Sequence, residues 1–291
     1  MNARKRTAYW RQFHVYHITL ENAWTERIQA ALKQQLSPFV AHIRLYGLED
    51  AVMRLESLIQ GDPIRAVLIK LYTTIFPVYA NTVTNQLEDE YGKELTRRKF
   101  FGTTNDFWLS LVNDYIRTYT ANKVVDITDT TKELIRRQIA AGLEQQLSID
   151  DMIQLILDNS INPYRARAIA RTEITGILNA AAQGAALQTG LLLRKVWISS
   201  LDFRTRRLPV SKFDHYKMDG VTEPITHPFN VNGDLIDYPG DPKGAKGNII
   251  QCRCTHAHEA VRDSNGRLIR NEFTSVVPSR ASAGLTRIIG I

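Results

Sequence analysis

The chain has 291 residues, 44% apolar and 23% charged, with a net charge of +7 and two cysteines. That length suits one large domain or two ordinary ones with a buried core, and the composition is that of a globular protein, not a disordered or collagen-like one. Two cysteines exclude a disulfide framework, and no unbroken apolar run approaches the ~20 residues of a membrane-spanning helix, so no membrane partner is expected.

The first residues, MNARKRTAYWRQFHVYHITLEN, open basic but lack the continuous apolar segment of a secretory signal. Synthesis in the cytoplasm and free thiols are therefore expected. Thr25 to Tyr46 has helical spacing, with a break expected near Ser37-Pro38. Asp62-Pro63 is a helix start, since Asp caps and Pro fits the first turn. From there Ile64, Val67, Leu68, Leu71, Ile75, Val78 and Tyr79 predict a long amphipathic helix to about Tyr91, kinked at Pro77. Asn105 to Thr120 carries a further apolar face.

Three capped helices are predicted next. One starts after Thr128 or Asp129, one at Ser148 with Asp151 in the third position, and one at Asn162-Pro163, ending before Gly190. The last is rich in alanine and glycine, which favours close helix packing. After Gly190 the texture changes. LLLRKVWISS is strand-like, half of the ten prolines follow in loops, and NIIQCRCTHAHEAV reads as a closing strand. Asn265-Gly266 turns the chain into a last short strand, RLIRNEF. The expected class is α+β, a mainly helical N-terminal two thirds followed by a small β-rich, loop-rich module. The expected division is 1–127, 128–270 (helices to 190, β-rich part 191–270) and an extended arm over 271–291.

Basic residues cluster at Arg4, Lys5 and Arg6 and again at Arg97, Arg98 and Lys99. With a pI of about 9.4, they suit a polyanion such as double-stranded DNA, bound without sequence preference because no recognition motif accompanies them.

The most informative residues lie between the alanine-rich helix and the closing strand. ARTE (Ala170 to Glu173), Trp197, D-x-R-T-R (Asp202, Arg204, Thr205, Arg206), His215, Asp219-Gly220, PGDP (Pro239 to Pro242), Asn248 and C-R-C (Cys252, Arg253, Cys254) occur in this order. The series resembles the phage Mu F-like head morphogenesis domain, a family of minor head proteins of tailed phages, from about Ile149 to Val261. In this chain LPVSKFD lengthens the usual gap before His215. The resemblance implies a structural virion protein without enzyme activity, made in the host and placed in the head interior or at the portal vertex. Its implied partners are the portal protein and the scaffold or major capsid protein, during head assembly or DNA ejection.

Read from the residues themselves, Asp202, Arg204 and Arg206 alternate and would share one face of a strand. Asp202 or Asp219 would then pair with Arg253 in a fold-fixing polar core, and Gly220 would take a positive φ. Two sharper readings compete. Asp202, His215 and Asp219 are the candidates for a metal- or His-dependent nuclease. Cys252, Cys254, His256 and His258 alternate, but on a regular strand they span ~20 Å, whereas zinc ligands lie ~2.0–2.3 Å from the ion. One adjacent pair can reach a single zinc, with His215, His227 or Asp219 completing it. No cofactor is expected, with both cysteines as small buried apolar side chains; zinc on His215, Cys252 and Cys254 is the alternative.

Overall fold

A computed structural model describes residues 1–92 and 105–270. Arg97, Arg98, Lys99 and the arm expected over 271–291 lie outside the described residues. The fold is α+β, with helices over the N-terminal two thirds and short strands near the C-terminus. The helices are α1 (Ala3–Tyr46), α2 (Leu48–Met53), α3 (Leu55–Leu58), α4 (Asp62–Tyr91), α5 (Asn105–Glu144), α6 (Ile149–Ser160) and α7 (Pro163–Leu187). Then come β1 (Leu193–Ile198), α8 (His215–Met218), β2 (Thr222–Pro224), β3 (Phe229–Val231), β4 (Asp234–Ile236), α9 (Lys246–Ile249) and β5 (Thr255–Ala260).

Two expected helix breaks do not occur. α1 runs through Pro38, because Leu36, Phe39 and Val40 on either side are buried and hold the helix across the missing backbone donor. α5 runs through Thr128. That threonine is buried, and its hydroxyl accepts from Gln35 Nε2 at 3.0 Å instead of capping a helix start. The boundary expected near residue 127 therefore falls inside α5. The Ser148 cap is present, its hydroxyl accepting from Asp151 N–H at 3.2 Å.

α4 begins at Asp62 and ends at Tyr91, as its periodicity predicts. Within a Leu55–Tyr91 stretch it is, among the described residues, the one helix long and apolar enough to cross a membrane. Ile64, Leu68, Leu71, Tyr72, Ile75 and Phe76 are nevertheless all buried in protein.

The chain forms two compact units that are not sequential. One comprises Leu20–Leu71 and Ile116–Ala170, the other Met1–Thr19, Tyr72–Tyr115 and Arg171–Ile291. The first has a core of Leu36, Phe39, Ile43, Leu55, Ile135, Ile139, Met152 and Ile156. A polar thread crosses it. Gln35 Nε2 donates to Gln60 O at 2.9 Å, Thr131 Oγ1 donates to Gln35 Oε1 at 2.9 Å, and Arg165 Nη2 donates to Ile127 O at 2.9 Å and Thr131 Oγ1 at 2.7 Å. Burial pushes the Arg165 guanidinium down to about 10.

The second unit carries the candidate site. Its sheet has the order β2-β1-β5, antiparallel throughout, with Lys195 opposite His258 and Trp197 opposite His256. β3 and β4 form a separate hairpin. Trp197, Phe213, Met218, Phe229, Val231, Ile236, Cys252 and Cys254 form a small core. The small residues of α7 are buried, Ala181, Ala182, Ala185 and Ala186 among them. RLIRNEF forms only single bridges where it is described, Arg262 to Leu268 and Leu191 to Arg270.

Ile156 is fully buried at the centre of the first unit's core. Ile156→Ala is expected to lower stability by about 2–5 kcal/mol, read as a shift in the urea unfolding midpoint, since transfer and cavity costs add.

Candidate functional site

The stretch that the sequence reads as one closing strand is not continuous. Lys246–Ile249 is the short helix α9, Gln251 takes a positive φ of 58°, and β5 begins only at Thr255. Backbone groups in such a segment lie outside the ladder and need other partners. One edge of α7 supplies them. Thr172 Oγ1 accepts from Gln251 N–H at 2.9 Å, and Arg171 Nη1 donates to Gln251 Oε1 at 3.1 Å. Thr175 Oγ1 donates to Cys252 O at 2.7 Å and lies 2.9 Å from His17 Nε2. Asn179 Nδ2 donates to Cys254 O at 3.1 Å and Pro239 O at 2.9 Å. Its Oδ1 accepts from Thr255 Oγ1 at 2.8 Å and from His256 Nδ1 at 3.2 Å. Positions three, four and seven apart fall on one helix face. Gly176 lets this face approach, because a Cβ there would lie 3.0 Å from Gly240 O. Glu173 of the ARTE motif is buried and accepts from Tyr72 Oη at 2.5 Å.

The D-x-R-T-R segment is a turn, not a strand, so Asp202, Arg204 and Arg206 do not line one face. Asp202 Oδ1 accepts from Arg253 Nη2 at 2.8 Å and from Arg204 N–H at 3.0 Å, and Asp202 Oδ2 from Arg204 Nη2 at 3.3 Å. The expected Asp202–Arg253 pair is present, but through one guanidinium nitrogen; Nη1 of Arg253 is buried without a partner. Arg206 donates instead to Ile250 O. Burial is the largest single influence on Asp202 and opposes its ionisation, but Arg253, Arg204 and the Thr205 hydroxyl together outweigh it and hold the carboxyl below its usual value. Burial also works against the charge on Arg253, and Asp202 offsets part of that. Trp10 Nε1 donates to Arg253 O at 3.1 Å, so α1 holds the backbone of the same residue.

Asp219 does not reach Arg253. Its Oδ2 accepts from Nε and Nη2 of Arg6 at 3.0 and 2.8 Å, and its Oδ1 from Ser199 N–H at 3.1 Å. Arg6, counted above among the DNA contacts, is thus engaged inside the protein, while Arg4 and Lys5 are exposed. Gly220 has φ of 85°, as expected, and a Cβ there would stand 2.9 Å from the Arg6 guanidinium.

His215 opens α8 and is buried. Its ring meets the Trp197 ring edge-on at 5.4 Å. Trp197 Nε1 donates to Ser199 Oγ at 3.0 Å, and Ser199 Oγ donates to His215 O, which fixes the start of α8. His215 Nε2 lies 2.6 Å from Asn248 Oδ1, and its Nδ1 lies 3.6 Å from Cys252 Sγ and 3.5 Å from Cys254 Sγ. Both thiols are free and buried. Their donor atoms and that of His215 all lie within 4.8 Å of one another, the one such metal-competent group among the described residues. A hydrogen bond from Cys254 lowers the Cys252 thiol, whereas burial pushes the Cys254 thiol well up.

His256 and His258 do not join this group. They stand edge-to-face at 4.7 Å, with both Nε2 atoms buried and unpartnered, and burial keeps them neutral, His258 down to about 3. Beside them Lys195 is fully buried. Its Nζ donates to Asp237 O at 2.5 Å and lies over the Phe229 ring at 4.9 Å, and burial pushes it down to about 8.

Comparison with protein-family models, curated proteins and solved structures returns no match. Sequence reasoning missed Thr175, Gly176 and Asn179, which sit among alanines that read as core, and Lys195, hidden in an apolar strand. The spacing of Thr172, Thr175 and Asn179 on one helix face was the available signal.

Arg253→Met leaves Asp202 without its main cation and is expected to cost about 1–3 kcal/mol at neutral pH. A carboxyl with a lowered folded pKa stabilises above its unfolded value of about 3.9, and that contribution is lost as pH falls through the folded value. The gap between wild type and variant, measured by urea unfolding across acid pH, should close below about pH 3.9; a gap that stays constant down to acid unfolding would contradict the pairing.

Proposed function

We propose that this chain is a minor capsid or head morphogenesis protein of a tailed phage, and that it acts by binding, not by chemistry. The reading rests on the ordered motif series from Ala170 to Cys254, which from Arg171 onward lies within one compact unit. The observation that carries the non-catalytic part is the fate of the two candidate carboxylates. Asp202 is held by Arg253 and Arg204, and Asp219 by Arg6. A general base needs a carboxylate or imidazole within reach of substrate, and here His215 is enclosed by Asn248, Trp197 and two thiols. These groups support a rigid scaffold on which α-helical surfaces dock to the portal protein and the scaffold or major capsid protein. Exposed Arg4 and Lys5 suit additional, sequence-independent contact with packaged DNA.

The chain is expected to co-purify with proheads or virions and to localise at the portal vertex by imaging; its absence from both particles overturns the reading. Supercoiled plasmid incubated with the protein and Mg²⁺ or Mn²⁺ should stay intact. Nicking that disappears in His215→Ala would instead favour the nuclease. DNA binding should weaken as salt rises, with log affinity linear in log salt, and Lys5→Ala should reduce that slope by about one; an affinity indifferent to salt rules out the electrostatic contact.

A further inference from the structure

We infer that His215, Cys252 and Cys254 form a zinc site. The inference goes beyond the proposed function and does not depend on it. The first observation is geometric. Tetrahedral zinc with bonds of about 2.3 Å to sulfur and about 2.0–2.1 Å to nitrogen separates a sulfur and a nitrogen ligand by about 3.6 Å. His215 Nδ1 stands 3.6 Å from Cys252 Sγ and 3.5 Å from Cys254 Sγ. A single nitrogen lone pair accepts one S–H bond well, yet here both sulfurs take the same distance from one nitrogen.

The second observation is the chain of partners behind the imidazole. Asp234 Oδ2 accepts from Ala245 N–H at 2.9 Å and from Asn248 Nδ2 at 2.7 Å. A carboxylate oxygen only accepts, so it orients the Asn248 amide with its nitrogen toward Asp234 and its oxygen toward His215. Asn248 Oδ1 then accepts the proton on His215 Nε2, at 2.6 Å. The proton is thereby fixed on Nε2, and Nδ1 presents a bare lone pair to the two sulfurs. Metal-bound histidines are held by this kind of outer hydrogen bond, which sets the tautomer and the ring orientation. Two cysteines serving only as small apolar side chains would need no such device.

The backbone brings the ligands together. The positive φ of Gln251 and the late start of β5 take the Cys-x-Cys segment off a regular strand. The Thr175 and Asn179 contacts fix the carbonyls of Cys252 and Cys254 themselves. Two thiolates and one imidazole are a soft to borderline donor set that suits zinc over magnesium or calcium, and two thiolates cancel the charge of a divalent ion in a buried place. The chain has no other cysteine. Among the described residues no further His, Cys, Asp or Glu, His227 and Asp219 included, joins the three, so the fourth position falls to water or an exogenous donor.

The test uses the full chain without a histidine tag, purified under reducing conditions. Elemental analysis should find about one zinc per chain. After chelation and exchange with Co²⁺, the spectrum should show thiolate-to-cobalt charge transfer with tetrahedral ligand-field bands. Asn248→Ala should weaken zinc affinity about 10- to 100-fold by freeing the imidazole. Cys252→Ser/Cys254→Ser should abolish stoichiometric binding; if that variant is insoluble, the wild-type cobalt spectrum and Asn248→Ala decide. Less than about a tenth of an equivalent after incubation with zinc, a cobalt spectrum lacking thiolate charge transfer, or full binding by the double variant each overturn the site.

Discussion

The carbonyls of Pro239 and Cys254 lie outside any strand ladder, and a single buried amide, that of Asn179, donates to both while its oxygen takes the Thr255 hydroxyl and the His256 ring. An unpartnered backbone group in such a place costs about as much as a lost hydrogen bond. The irregular path between α9 and β5 is therefore stable only while α7 lies against it. Gly176 and Gly240 let α7 lie close against the neighbouring Pro239–Gly240 turn, since either Cβ would meet the opposite backbone. Everything placed by the segment follows from this docking: the Cys252 and Cys254 sulfurs, the Arg253 side chain and the first residues of β5.

Charge in the module is settled locally. Asp202 and Asp219, on turns that flank α8, each take a guanidinium from a different part of the chain, Arg253 and Arg6. Arg6 and Trp10 both come from the first turns of α1, so the N-terminal residues act as a strap over the module's turns. Lys195 is a different solution, a buried ammonium set on a carbonyl and an aromatic face. These arrangements restrict reactivity and favour a fixed shape.

Much of the fold was legible in the residues. The long helix from Asp62 to Tyr91, the Ser148 cap, the alanine-rich α7 and the Trp197 strand follow from periodicity and capping chemistry. A carboxylate partner for Arg253, Asp202 or Asp219, was also expected, and the structure provides it in Asp202. The failures have a common cause. Pro38 and Thr128 are local breakers overruled by tertiary contacts, the burial of the flanking Leu36 and Phe39 in the core at one and the Gln35 hydrogen bond at the other. Asn179 looks like an interruption of a small-residue stripe until the carbonyls it serves are in place.

Sequence alone determined the Asp62 to Tyr91 helix, the Ser148 start of α6, where the β-rich part begins, and that the two cysteines form no disulfide with each other, because these depend on neighbours a few residues apart. Only tertiary structure decided that His215 faces Cys252 and Cys254, that Asp219 belongs to Arg6, and that the compact units are interleaved along the chain. Those outcomes rest on contacts between residues tens to hundreds of positions apart. No local spacing encodes such contacts, since packing and the need to satisfy every buried polar group select them only once the chain has folded.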